Sequence, residues 1–138
     1  MVFELSDEEG EYLVGLARRA IESQLRSGRA VVPDDASEHL KTECGVFVTL
    51  NAVEGDSHRL RGCIGLPYPT KPLVDAVVDS AVSAALRDPR FPRVTYDEMG
   101  SIAVEVSVLT PPEVVSVGRP EEYPGEVEVG RDGLIISR

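Results

Sequence analysis

Two neighbouring apolar runs constrain this chain most. Val46, Val48 and Leu50 alternate with Phe47, Thr49 and Asn51, which is the period of a β-strand. Glu54-Gly55-Asp56-Ser57 reads as a turn, and Leu60 to Leu66 as the returning strand. Together they predict an antiparallel hairpin. The second run carries apolar residues on both faces, which predicts a strand inside a sheet.

The other elements follow from local signals. Ser6-Asp7-Glu8-Glu9 has the spacing of a capping box. Leu13, Leu16, Ala17, Ala20, Ile21 and Leu25 then recur at three and four residues, and Gly28 suits the stop, so a helix covers about Ser6 to Ser27. Val31 to Thr42 is a polar connection with one helical turn. Thr70-Lys71-Pro72 opens a second helix with Pro72 in its first turn, and Asp88-Pro89-Arg90-Phe91-Pro92 ends it. Its stripe of valines favours strands locally, so burial has to override propensity. Tyr96 to Met99 reads as a short helical turn and Ile102 to Thr110 as the clearest strand, with Ile102, Val104, Val106 and Val108 on one face. Ser116 to Gly125 is loop-like. Val127, Val129 and Leu134 to Ile136 predict a second hairpin around Gly130-Arg131-Asp132-Gly133. This order predicts an α+β (mixed α/β) fold, with β-hairpins and a central sheet packed against two main helices in one domain, residues 1–138. If the second helix joins two parallel strands, its crossover should be right-handed.

The length of 138 residues is enough for one real core, and 42 % hydrophobic residues exclude a disordered chain. The formal net charge is −10. That argues against a broad basic face for nucleic acid, although a local arginine cluster can still grip a phosphate. Lys41 and Lys71 are the only lysines. An acidic, lysine-poor surface is expected of a protein adapted to high salt, where charge repulsion is screened. No apolar run is long enough for a membrane span, and the N-terminus lacks the pattern of a signal peptide. The expected compartment is the cytoplasm, with Cys44 and Cys63 as free thiols. His39 and His58 have no metal-site spacing with each other or with the cysteines. No cofactor loop is legible.

The string Leu60-Arg61-Gly62-Cys63-Ile64-Gly65 carries the candidate chemistry. Glycines on either side of Cys63 allow close approach of a ligand or of another backbone. The period of two places Arg61 and Cys63 on one strand face, with Leu60, Ile64 and Leu66 on the other. A guanidinium beside a thiol raises the thiolate fraction, which makes Cys63 a candidate nucleophile. The packing reading weighs more for Cys63 itself, because free cysteine often just fills a core and no histidine is placed as a base. Cys44 reads as packing. Arg61, Gly62 and Arg90, with Asp88 and Glu105, are candidates for binding an anionic ligand. A buried Arg61 needs a partner, and Asp88 and Glu105 are the in-chain candidates. Gly130 to Gly133 reads as a hairpin turn, without the lysine of a phosphate loop. Two functions stay open. One is an enzyme acting on a small anionic or acyl substrate at a cleft around Arg61 and Cys63. The other is a non-catalytic binding or scaffold module, favoured by the missing base.

Five ordered blocks carry a resemblance: Gly45 to Leu50, Leu60 to Gly65, Asp88 to Phe91, Glu105 to Leu109 and Gly130 to Leu134. In this order the chain resembles an archaeal-type member of the AMMECR domain family, named after the AMME syndrome chromosomal region. The resemblance implies a mixed fold whose two subdomains meet near the Arg-Gly-Cys-Ile-Gly string. It implies an activity unsettled between an enzyme and a factor in nucleic-acid metabolism. Memo-type and radical-SAM-type proteins are the partners it implies, through a shared modification pathway. Family members continue past the Gly-Arg-Asp-Gly-Leu strand into a partly helical segment. The chain is therefore expected to be C-terminally shortened, with an apolar patch near Leu134 to Ile136.

Overall fold

A computed structural model describes residues 3–126 and Glu128. The expected hairpin at 127–136, and the apolar patch expected with it, lie outside the described residues.

Helix α1 spans Asp7–Ser27. Its first turn is closed by a reciprocal pair of bonds. The Glu9 N–H donates to Ser6 Oγ at 3.1 Å, and the Ser6 N–H donates to Glu9 Oε1 at 2.9 Å. At the other end Gly28 (φ 70°) donates its N–H to the Gln24 carbonyl. A 3-10 turn at Glu38–Lys41 follows, as the polar connection predicts. His39 is not simply solvated there: it stacks on Phe3 with ring centroids 4.6 Å apart, and its Nε2 lies 2.7 Å from the Glu4 carbonyl oxygen.

Strands β1 (Gly45–Glu54) and β2 (Ser57–Leu66) form the hairpin, and Gly55 (φ 59°) supplies the left-handed residue of its tight turn. Helix α2 spans Leu73–Leu86 and strand β3 spans Ile102–Leu109, with a 3-10 turn at Tyr96–Ser101 between them. Pro72 sits at the N-cap of α2 rather than within its first turn. The stretch expected as loop from Ser116 holds a 3-10 turn at Pro120–Glu122 and a single helical turn, α3 (Tyr123–Glu126).

The sheet order is β2-β1-β3 and both pairings are antiparallel. Strands β2 and β3 therefore run parallel to one another with β1 between them, and α2 crosses from one to the other. This corrects the place expected for β2: among the described residues it is an edge strand, and β1 is the central one. Its apolar residues on two faces have separate reasons. Ile64 and Leu66 pack towards the core, whereas Leu60 lies on the opposite face and is 38 % exposed.

Both helices cover one face of the sheet. Leu13, Leu16 and Ile21 of α1 are fully buried with Val46, Val48 and Leu50 of β1 and Val74 and Val77 of α2. Each such side chain contributes roughly 1.5–3 kcal/mol by leaving water. Most of α2 is buried, which explains how its valines are held in a helix. Arg18 pins α1 to the start of β3 by donating to the carbonyls of Met99 (2.9 Å) and Ile102.

Candidate functional site

The organising string occupies the second half of β2. Its register against β1 is regular from Leu66 back to Gly62, which pairs with Leu50; the next pair is Leu60 with Asn51. Arg61 is the extra residue, so a β-bulge sits at this point. A bulge breaks the period of two. Leu60 therefore shares the face of Cys63, contrary to the strict alternation, and Arg61 is aimed elsewhere.

Arg61 is 8 % exposed and closed into a clasp. Its Nε donates to Glu98 Oε1 at 3.1 Å and its Nη2 to Glu98 Oε2 at 3.2 Å. Its Nη1 donates to the Pro92 carbonyl at 2.8 Å and its Nη2 also to the Arg93 carbonyl at 3.3 Å. Neither Asp88 nor Glu105, the expected partners, holds it. Glu98 does, because the bulge turns the guanidinium towards the loop after α2. Glu98 is itself oriented by the Thr95 N–H, which donates to its Oε2 at 2.7 Å. That bond first, and Arg61 second, hold the Glu98 carboxyl below its ordinary pKa against the opposing effect of burial.

Gly62 backs onto the end of α2. A Cβ at this position would lie 2.2 Å from the Ala84 carbonyl oxygen, so the glycine lets strand and helix touch. That is a packing duty, on the side away from Cys63.

Cys63 pairs across the sheet with Thr49, and Thr49 pairs on its other side with Glu105. The three side chains thus form a row on the sheet face opposite α1 and α2. The Cys63 Sγ lies 3.3 Å from Thr49 Oγ1. Cys63 is half-buried, whereas Glu105 is exposed. Cys44, by contrast, is buried, and burial pushes its thiol pKa up, as a packing residue requires.

The backbone of Cys63 is gripped from the strand edge. Its N–H donates to Asp88 Oδ2 at 3.0 Å, and its carbonyl accepts from Arg90 Nη2 at 3.3 Å. Asp88 in turn accepts from the Arg90 N–H (3.1 Å), Nε (3.0 Å) and Nη2 (2.8 Å). The loop after α2 thereby satisfies both outward backbone groups of an edge residue and shields that point of the edge from pairing. The Arg90 side chain is 55 % exposed, while that of Asp88 is 2 % exposed. So the pair presents a cation outward and keeps its carboxylate inside.

Arg90 holds the Asp88 carboxyl well below the usual carboxylate range, helped by the Cys63 and Arg90 N–H groups and opposed by burial. A depressed carboxyl contributes stability that is present above its unfolded pKa of about 3.9 and is lost as pH falls towards the folded value. Asp88→Asn should therefore cost roughly 2 kcal/mol at neutral pH, as hydrogen bonds to a charged acceptor are removed. It should also flatten the acid limb of stability. Urea midpoints measured from pH 7 to 3 check this, and parallel curves for the two proteins would refute it.

The structure thus brings together Cys63, Asp88 and Arg90 directly, and Glu105 through Thr49. It withdraws Arg61 and Gly62 into packing. Sequence reasoning missed Thr49 and Glu98. Thr49 was legible as the residue opposite Cys63 once the hairpin was counted. Glu98 was legible in the Thr-x-x-Glu spacing of Thr95 to Glu98. Among the described residues no cluster of histidine, cysteine and acids has the make-up of a metal site. No described helix is long and apolar enough to cross a membrane.

Comparisons with known proteins agree with this architecture. A family model described as AMMECR1 matches residues 14–138. A protein of Pyrococcus horikoshii is 51 % identical over 140 residues, covering 100 % of this chain and 68 % of its own length. One from Pyrococcus furiosus is 52 % identical over 139 residues, covering 99 % of this chain and 66 % of its own. The crystal structure of an uncharacterized protein from Pyrococcus horikoshii matches with a TM-score of 0.85 at 51 % identity, covering 92 % of this chain and 63 % of that chain. The chain therefore spans about two thirds of the length of the relatives it matches.

Proposed function

The chain belongs to the AMMECR1 family, and from that premise we propose that it is an enzyme acting on a small anionic or acyl substrate, with Cys63 as nucleophile. One observation carries this reading: Cys63 is half-buried rather than sealed, on the sheet face opposite α1 and α2 and with its sulfur 3.3 Å from the Thr49 hydroxyl. Arg90 replaces Arg61 as the cation of the site. Its guanidinium is fixed by Asp88 and hydrogen-bonded to the Cys63 carbonyl, so a substrate anion beside Cys63 meets an ordered donor. Glu105 is the exposed carboxylate in the same cross-sheet row. It is the base available to take a proton by way of Thr49 or water.

Acyl transfer balances with these groups. The Cys63 sulfur adds to the acyl carbonyl, an S–C bond forms, the bond to the leaving group breaks, and water later releases the acid. The probe is p-nitrophenyl acetate on the Cys44→Ala protein. The expected result is an acetyl adduct on Cys63 and release of one equivalent of p-nitrophenolate from the folded chain. Iodoacetamide should label Cys63 under the same conditions. Labelling that appears only on unfolding would remove Cys63 from catalysis.

The second reading is a non-catalytic binding module. It is supported by the Arg61 clasp, which spends the string's cation on internal bonds. A Cys63 that iodoacetamide reaches, but that no acyl probe modifies, would favour it. Memo-type and radical-SAM-type proteins are the proposed partners under either reading.

A further inference from the structure

A second group of polar side chains lies where β2 meets α2, on the helix side of the sheet. A pocket of about 270 Å³ opens there between Ile64 to Leu66 of the strand and Ser80, Ser83 and Arg87 of the helix. Ser80, Ser83 and Arg87 follow one another at three and four residues, so they share one side of α2. Ser80 is 2 % exposed, and its hydroxyl is buried without a hydrogen-bond partner among the described residues. Such an orphan is unusual, so it points to a partner that the described residues do not supply.

The charges around the pocket are unequal. Lys71 and Asp79, which also line it, neutralise each other in an ion pair. Arg87 donates from Nη1 to Ser83 Oγ at 2.9 Å, and no carboxylate pairs with it among the described residues. Among the described residues the rest of its donor fork has no partner beyond Ser83, and a guanidinium offers donors only. Since the outward backbone groups of Cys63 point away from β1, those of Gly65, two residues on, turn to the same edge. The Gly65 N–H thus adds a donor beside the pocket. Ile64 and Leu66 supply apolar wall.

We infer that this pocket binds the oxyanion of a small molecule, a carboxylate or a phosphate, with Arg87 as its cation and Ser80 and Ser83 as hydroxyl partners. A liquid water occupies about 30 Å³, so the volume suits a ligand on the order of ten heavy atoms. The site is separate from the Cys63 face and does not depend on the reaction proposed there.

The test uses the ¹⁵N-labelled chain, titrated separately with inorganic phosphate and with butyrate at constant ionic strength. The expected result is saturable shifts of the Gly65 and Ser80 amides with at least one anion. Saturation by phosphate alone assigns a phosphoryl ligand, and saturation by butyrate alone a carboxylate. Arg87→Gln should weaken binding roughly tenfold, the scale of one charge-assisted contact. Ser80→Ala removes the hydroxyl but fits the same space, so the fold is kept, and it should weaken binding roughly fivefold. Absence of saturable shifts at these amides, or unchanged affinity in both variants, overturns the inference. Cys63→Ser should leave this binding intact, which separates the fate of this site from that of the acyl chemistry.

Discussion

Gly62→Ala should lower the melting temperature by roughly 10 °C, the equivalent of about 3 kcal/mol for a domain of this size. The added Cβ would stand 2.2 Å from the Ala84 carbonyl oxygen and 3.1 Å from its carbon. Both obstacles are backbone, so no rotamer change relieves them. Relief requires α2 to move off β2. That movement would disturb the Asp88 and Arg90 contacts on Cys63, because they start just past the end of the same helix. Gly10→Ala is the control. Nothing stands within 4 Å of a Cβ there, and the position is helical, so the change should stabilise by roughly 0.5–1 kcal/mol. Thermal melts of the two variants against wild type check both signs. A Gly62→Ala protein as stable as wild type would mean that the glycine is kept for a ligand and not for helix packing.

The elements were legible wherever their signals are local. Ser6 and Glu9 name the start of α1, and Gly28 its end, because a cap is made within four residues. The alternation from Val46 and from Ile102 marks β1 and β3, because one side of each strand faces the helices. The pairing of β2 with β1 was legible from the hairpin pattern, but the edge position of β2 was not. Sheet order depends on which strand β3 meets, and that is set by the path of α2 across the sheet. Nor was the direction of Arg61. A single extra residue against Leu50 and Asn51 undoes the period of two, and nothing in Leu60 to Gly65 announces it. The site was legible as a set of residue types more than as a geometry. Cys63, Asp88 and Arg90 do converge, because the rigid Pro-flanked loop returns to the strand edge. For Arg61 the sequence leaves a ligand and an internal pair with Asp88 or Glu105 both open; Glu98, the partner it has, lies 37 residues away and is brought to it only by tertiary packing.

The Arg61 clasp provides the sharpest separation of structure from chemistry. Arg61→Ala should cost roughly 3 kcal/mol, at the low end for breaking a buried pair. Two effects set that size. The Pro92 and Arg93 carbonyls lose their donors and a void is left under the loop. The Glu98 side chain, however, is 38 % exposed, so its carboxylate can take up water when the guanidinium leaves. Arg61→Lys should recover less than half of the loss, because a point ammonium cannot span a carboxylate fork and two carbonyls at once. Glu98→Gln combined with Arg61→Ala should lose less than the sum of the single changes, the difference measuring the pair itself. The Glu98 carboxyl is depressed, so the contribution of this pair is present above the unfolded value of about 4.3 and fades as pH falls below it. Glu98→Gln and wild type should therefore converge in stability in acid. Below its melting point, the Arg61→Ala protein should still be labelled at Cys63 by iodoacetamide, since Arg61 faces the 92–98 loop and not the thiol. An Arg61→Ala protein with wild-type stability but a silenced Cys63 would reverse the assignment and return Arg61 to the substrate.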